Sequence, residues 1–348
     1  MALAFGVTVL PDPPYQRLVE LIVKAESLGF DSGWTYDSPI LWQEPYPLIT
    51  LLADRTERMR IGMCVTNPVT REPAVTASAH ATLQDISGGR MVMGMGRGDS
   101  AVRVMGRKPA PVAEFERALV MVKELMNGRP VEWEGAELEL EWAKGRPEIP
   151  LYVAGYGPRA LGVAGRVGDG VIIQLADPAI IEWIMGVARA AADEAGRDPA
   201  ALECLVCAPS KVTGDLARAR DEVRWFPAMV GNHVADLVRV HGADGGAPPE
   251  LTEYIRARDA YDYKEHSRVG AAHGSYVTDE ICDRFCVIGS AEQVIDKLRG
   301  LEAIGVDHWI TYLMTDAPEE TLRAYGEEVI PALQRAESQS TVSSARRP

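Results

Sequence analysis

The residues best suited to chemistry in this 348-residue chain are two glycine-rich segments and two aspartates. Ala154-Gly155-Tyr156-Gly157-Pro158-Arg159-Ala160 sets glycines where a backbone can approach a ligand, then opens a helix with proline and arginine. The free N–H groups and dipole of such a helix start suit a phosphate. Gly94, Gly96 and Gly98 alternate through the segment that carries Arg97 and ends at Asp99. They permit a flat aromatic ring close to the backbone, or mark a place where strands crowd. Asp37, followed by Ser38 and Trp42, and Asp99 are the carboxylates placed for proton transfer. A donor near neutrality needs a raised pKa, and a loop aspartate that only bonds backbone is the plainer alternative.

Other groups offer less. Gly155-x-Gly157-x-x-Ala160 also fits a loose dinucleotide fingerprint, with Asp177 near the place of its ribose acid, but four strand-like units precede it. Histidines 80, 233, 241, 266, 273 and 308 lack metal-ligand spacing, and no metal is expected. His80 sits in a helix; His273 could reach the mouth of the fold from an insertion. Lys211 and Arg284 are the basic residues that could add to a phosphate site. Five cysteines, at 64, 204, 207, 282 and 286, are expected to be reduced and structural; Cys204 and Cys207 lie in a strand-like run without a turn glycine.

The elements that must position these groups alternate between short apolar runs and amphipathic helices, the pattern of parallel β/α units. Strands are expected at 4–9, 32–36, 60–66, 90–95, 149–154, 170–174, 202–212 and 308–313. Helices are expected at 15–28, 47–56, 73–86, 112–126, 159–166, 179–195, 291–304 and 318–334, with a hairpin around Gly135. A largely helical insertion covers about 215–285, and the polar segment 336–348 is expected to be disordered. Eight strands, each near a helix, fit one closed (β/α)8 TIM barrel over 1–335, and the active end is then the C-terminal end of the strands. Hydrophobic residues make up 47% and charged residues 25%, enough for a sizeable core. A net charge of −14 argues against nucleic acid or an anionic membrane as partner. The first residues lack a basic leader and no apolar run reaches the roughly 20 residues of a membrane span, so a cytoplasmic protein is expected.

Three segments carry a family resemblance. Asp85-Ile-Ser-Gly-Gly-Arg90 running into Gly94-Met-Gly96, Val153 to Ala160 followed by Gly168-Asp169-Gly170, and Phe285 to Ser290 with Val294 resemble, in order, motifs of the luciferase-like monooxygenase superfamily. The chain is most similar to the branch using the deazaflavin coenzyme F420. The resemblance implies a luciferase-like barrel and hydride transfer between the deazaflavin C5 and a small organic substrate. It implies a non-prolyl cis peptide at Cys64-Val65, continued by Thr66 and Asn67, beneath the ring. It places Asp37 and Ser38 at the deazaflavin head, where related dehydrogenases often have histidine in place of Ser38. Trp42 becomes a wall of the substrate pocket, and Asp99 stands at a glutamate that moves protons in some members. Gly96, Arg97, Gly98 and the 154–160 loop become cofactor-binding, and pairing as a homodimer through helices near strands two and three is implied. An FMN-dependent monooxygenase of the same fold, and a non-catalytic flavin-binding homologue, remain open as alternatives.

Overall fold

The expected strands form and close on themselves. The computed structural model describes residues 2–12, 14–231, 233, 268–270, 274 and 276–335. Its barrel strands are β1 (Ala4–Val9), β2 (Ser32–Thr35), β3 (Arg60–Thr66), β4 (Met91–Gly96), β7 (Leu151–Ala154), β8 (Gly170–Ile173), β9 (Glu203–Val212) and β11 (His308–Tyr312). Every pairing between them is parallel, and β8 against β9 completes the ring. The expected hairpin is β5 (Val131–Trp133) with β6 (Ala136–Leu138), turning through Glu134 and Gly135, both at positive φ; that geometry matches the right-handed twist of a tight hairpin. A short β10 (Val287–Gly289), not anticipated as a strand, extends the sheet along the far end of β9.

Around the barrel lie α1 (Tyr15–Ser27), α2 (Pro45–Arg55), α3 (Pro73–Ile86), α5 (Val112–Met126), α6 (Pro158–Val167) and α7 (Pro178–Glu194). A one-turn α4 (Ser100–Arg103) follows β4, and α8 (Leu216–Val223) opens the insertion. Residues 225–231 and Asp279–Phe285 are helical too, so the described parts of the insertion match its expected character. His241, His266, His273 and the segment 336–348 lie outside the described residues. None of the described helices is long and apolar enough to cross a membrane.

The barrel is filled by side chains. Trp34 is buried with its indole N–H donated to Ser32 Oγ at 2.8 Å. A Cβ on Gly62 would come within 2.7 Å of that indole, so glycine makes its room. The Ser87-Gly-Gly-Arg90 motif proves to be a brace at the opposite end from the site. Arg90 donates to the Ala53, Thr56, Met59 and Ser87 carbonyls, tying the end of α2 to β3 and β4. Gly289-Ser290 is likewise structural: Ser290 and Gln293 form a reciprocal cap on the helix Ala291–Ala303.

Candidate active site

At the strand C-termini, β2 and β3 meet through a buried acid. Thr66 Oγ1 donates to Asp37 Oδ2 at 2.6 Å. Burial pushes the Asp37 carboxyl above its usual value; Thr66 and Arg71 oppose that and Glu44 adds to it. The Cys64–Val65 peptide is cis, as the resemblance implies, and the β3–β4 register slips between Met63 and Thr66. The bulge presses Val65 towards β4. A Cβ on Gly94 would lie 2.4 Å from the Met63 carbonyl oxygen and 3.1 Å from Val65, and one on Gly96 would meet Val65 at 3.1 Å. Crowding by the bulge therefore accounts for Gly94, and the open-ring reading is not needed there. Asn67 Oδ1 accepts from the Val69 and Thr70 amides at 3.0 Å, fixing the turn that follows.

The β4 end runs through Gly98, at φ +85, into α4, which sets Arg103 one turn beyond Asp99. Arg103 Nε donates to Asp99 Oδ1 at 2.5 Å, and His233 Nε2 lies 3.3 Å from Asp99 Oδ2. Burial raises the Asp99 carboxyl, but His233 and Arg103 outweigh it and hold it well below the usual carboxylate range. In that state Asp99 accepts rather than donates, whereas Asp37 is shifted the way a donor needs. Arg97 Nε is committed to the Ala110 carbonyl at 2.6 Å.

The 154–160 loop ends in a helix start with no side-chain cap. Gly157 is the N-cap and Pro158 the first helical residue, so no side chain competes for the amides of the first turn. Arg159 is exposed there, with no hydrogen bond or ion pair to any described residue. Tyr156 turns inward: its hydroxyl lies 3.5 Å from Gln174 Oε1, and Gln174 Nε2 donates to Tyr312 Oη at 2.8 Å. Tyr312 in turn packs edge-on against Tyr36 and lies stacked with Trp225 of the insertion.

Trp42 is buried under the Arg268 guanidinium, 5.2 Å from its ring centre. Both flank a cavity of about 400 Å³ between α1 and the end of β11. Leu10, Leu18, Leu21, Leu313 and Met314 make its wall apolar. The buried Trp42 Nε1 and Thr315 Oγ1 lack a hydrogen-bond partner among the described residues, and both residues line that space. Ser38 holds the chain in place, its carbonyl accepting from the Leu41 and Trp42 amides.

Several expected contributors are used elsewhere. Lys211 pairs with Glu222, and Arg284 donates to Asp177 at 2.6 Å, so neither is available to a phosphate. Asp177 caps α7, and a closed parallel barrel has no place for the dinucleotide fold it was weighed against. His80 is fully buried on the Thr76 carbonyl, and His308 pairs with Glu203. All five cysteines are buried free thiols; Cys64 and Cys207 lie 3.7 Å apart inside the barrel. The groups that sequence reading missed are Gln174, Tyr312, Trp225 and above all His233, which no local spacing links to Asp99.

Residues 3–308 match the luciferase-like monooxygenase family. The chain belongs to that family. It is similar to the 5,10-methylenetetrahydromethanopterin reductase of Archaeoglobus fulgidus, at 30% identity over 94% of this chain and 99% of that protein. The enzyme of the same name from Methanolobus tindarius is 29% identical over 94% of this chain and its own full length. Among solved structures, the coenzyme F420-dependent tetrahydromethanopterin reductase of Methanopyrus kandleri superposes with a TM-score of 0.75. It is 26% identical, over 96% of this chain and 100% of that one. The α6 start lacks a side-chain cap, and the β3 end carries the cis peptide and the register shift. The uncapped amides and Arg159, without an ion pair among the described residues, have the chemistry a cofactor phosphate requires.

Proposed function

We propose that this chain is an oxidoreductase that uses coenzyme F420 and transfers a hydride between the deazaflavin C5 and a carbon of a small organic substrate. The observation that carries this reading is the near end-to-end similarity to the Archaeoglobus reductase, supported by the geometry of the α6 start and the β3 bulge. The first-turn amides of α6 and Arg159 would hold the phosphate, with Gly155, Gly157 and Ala160 keeping the approach open. Val65, Thr66, Asn67, Asp37 and Ser38 would lie under the ring head, and Gly96, Arg97 and Gly98 beside it. When bound, the deazaflavin supplies a centre that gives or takes two electrons as a hydride.

The chain's own residues do the rest. Asp37, shifted upward by burial and held by Thr66, would be the carboxyl at the ring head. Trp42 and the leucines around it exclude water from the cavity, which suits a substrate with an apolar body. Asp12, Arg268 and Asp316 at the same cavity supply polar ends for orientation. Pairing of two copies fits α3, whose Val75 and Ile86 are large exposed apolar side chains; light scattering tests it, and a monomer at working concentration rejects it.

Expression in a host that makes both F420 and FMN is the deciding experiment. Copurification of F420, and anaerobic oxidation of its reduced form by a panel of methylene-tetrahydromethanopterin, methylene-tetrahydrofolate, acetone and cyclohexanone, is expected. Tight FMN binding with oxygen consumption would replace this reading by the monooxygenase one. Binding of neither cofactor would leave a non-catalytic homologue.

A further inference from the structure

Besides Arg268 over Trp42, the insertion brings an imidazole to the end of β4. His233 Nε2 reaches Asp99 Oδ2 at 3.3 Å, while its ring lies 5.9 Å from that of Tyr156, tilted by 35°. Three separate stretches thus converge on one imidazole: the end of β4 with α4, the loop before α6, and the insertion. The arrangement is half-buried and anchored on the buried Tyr312. Asp99 is braced on its other oxygen by Arg103, and Tyr156 is fixed through Gln174 to Tyr312. The ionisable groups facing His233 among the described residues are Asp99, Arg103 behind it, and the Tyr156 phenol.

We infer that His233 is the acid–base group for the substrate in this enzyme, and that Asp99 positions it and stays a carboxylate throughout. The inference rests on the oxidoreductase reading above. Ser38 cannot serve, since a hydroxyl holds no transferable proton near neutrality, and the insertion delivers an imidazole from the other side of the mouth. In the reducing direction, a hydride that the reduced cofactor would supply forms a new C–H bond at the substrate carbonyl carbon. The π pair moves to oxygen, and the oxygen takes a proton from the His233 imidazolium, leaving neutral imidazole. Oxidation of an alcohol runs the same transfers backwards. Arg103 and His233 hold Asp99 as a carboxylate, which agrees with a positioning task.

The test compares wild type with H233N, H233A and D99N. F420 affinity is read by fluorescence quenching, and turnover of reduced F420 by whichever panel carbonyl or imine the wild type accepts. H233N is expected to keep the melting temperature and F420 affinity, to lose about 100-fold or more in kcat, and to lose the alkaline limb of the pH profile. Added imidazole should restore part of the H233A rate, which a structural role would not allow. D99N should lose less, about 10-fold, with a pH profile that differs from that of wild type. Wild-type kcat and pH profile in H233N would overturn the assignment while leaving F420 dependence standing. Failure of wild type to bind F420 would overturn both. If F420 binds and no panel compound turns over, the imidazole signal of His233 decides. Its resonance in labelled protein must differ between wild type and D99N, and an unmoved resonance overturns the pairing.

Discussion

Thr66 Oγ1 and Asp37 Oδ2 lie 2.6 Å apart in a buried contact that joins the ends of β3 and β2. One hydroxyl is a modest donor set for a buried carboxylate, and desolvation wins: the folded pKa lies above the ordinary value of 3.8. The native state therefore holds the proton more tightly than the unfolded chain. This contribution to stability is fully present below pH 3.8 and is lost as pH rises through the folded value. Asp37→Asn removes the loss and keeps an acceptor for Thr66. Thermal melts should show the variant as stable as wild type or more so at pH 7, with the difference closing in acid. The same variant should lose turnover, and a lower melting temperature at pH 7 would contradict the sign.

His80 behaves in the opposite sense. Burial lowers its pKa from 6.5 to about 4, against the Thr76 carbonyl bonded to Nδ1. The unfolded chain takes up the proton first as pH falls. Stability is whole above pH 6.5 and drains away towards about 4, by on the order of 3 kcal/mol in full. Denaturant unfolding should show His80→Gln weaker than wild type at pH 7, through lost contact with Tyr46. Its stability should also change less between pH 7 and 5.

Gly94 and Gly186 make a matched pair. An added Cβ at Gly94 meets the Met63 carbonyl oxygen at 2.4 Å and Ile172 at 2.8 Å, backbone and core that cannot yield cheaply. At Gly186, within α7, nothing lies within 4 Å. Gly94→Ala should cost about 1–3 kcal/mol, whereas Gly186→Ala should gain about 0.5–1 kcal/mol from helix propensity. Paired urea titrations read both, and a neutral Gly94→Ala would show that the bulge gives way.

The barrel was legible because its evidence is local. Each apolar run and each amphipathic stretch, such as Leu18, Leu21, Ile22 and Ala25 on α1, announces its own element, and the eight runs leave only one economical closure. The Gly157-Pro158 helix start was readable for the same reason, whereas the Cys64-Val65 bulge was reached through the family resemblance. What stayed hidden depends on distance along the chain. Gln174 and Tyr312 are 138 residues apart, and Cys64 and Cys207 are 143 apart. Lys211 and Arg284 looked free because a sequence lists charges without their partners, Glu222 and Asp177. His233 escaped for a similar reason, its partner Asp99 lying beyond several intervening β/α units.

Arg159 tests the cofactor cradle without disturbing the fold. Arg159 is exposed and makes no hydrogen bond or ion pair with a described residue, so truncation breaks none among them. The melting temperature of Arg159→Ala should match wild type. Its affinity for F420 should fall by about 10-fold or more, the worth of one charge-assisted contact to a phosphate. Arg159→Lys should recover only part of that, because an ammonium lacks the fork that grips two oxygens at once. Raising salt should weaken wild type more than the alanine variant, since only wild type has that charge to screen. Equal affinity and equal salt dependence in all three proteins would remove Arg159 from the cradle and leave the amides of α6 to hold the phosphate alone.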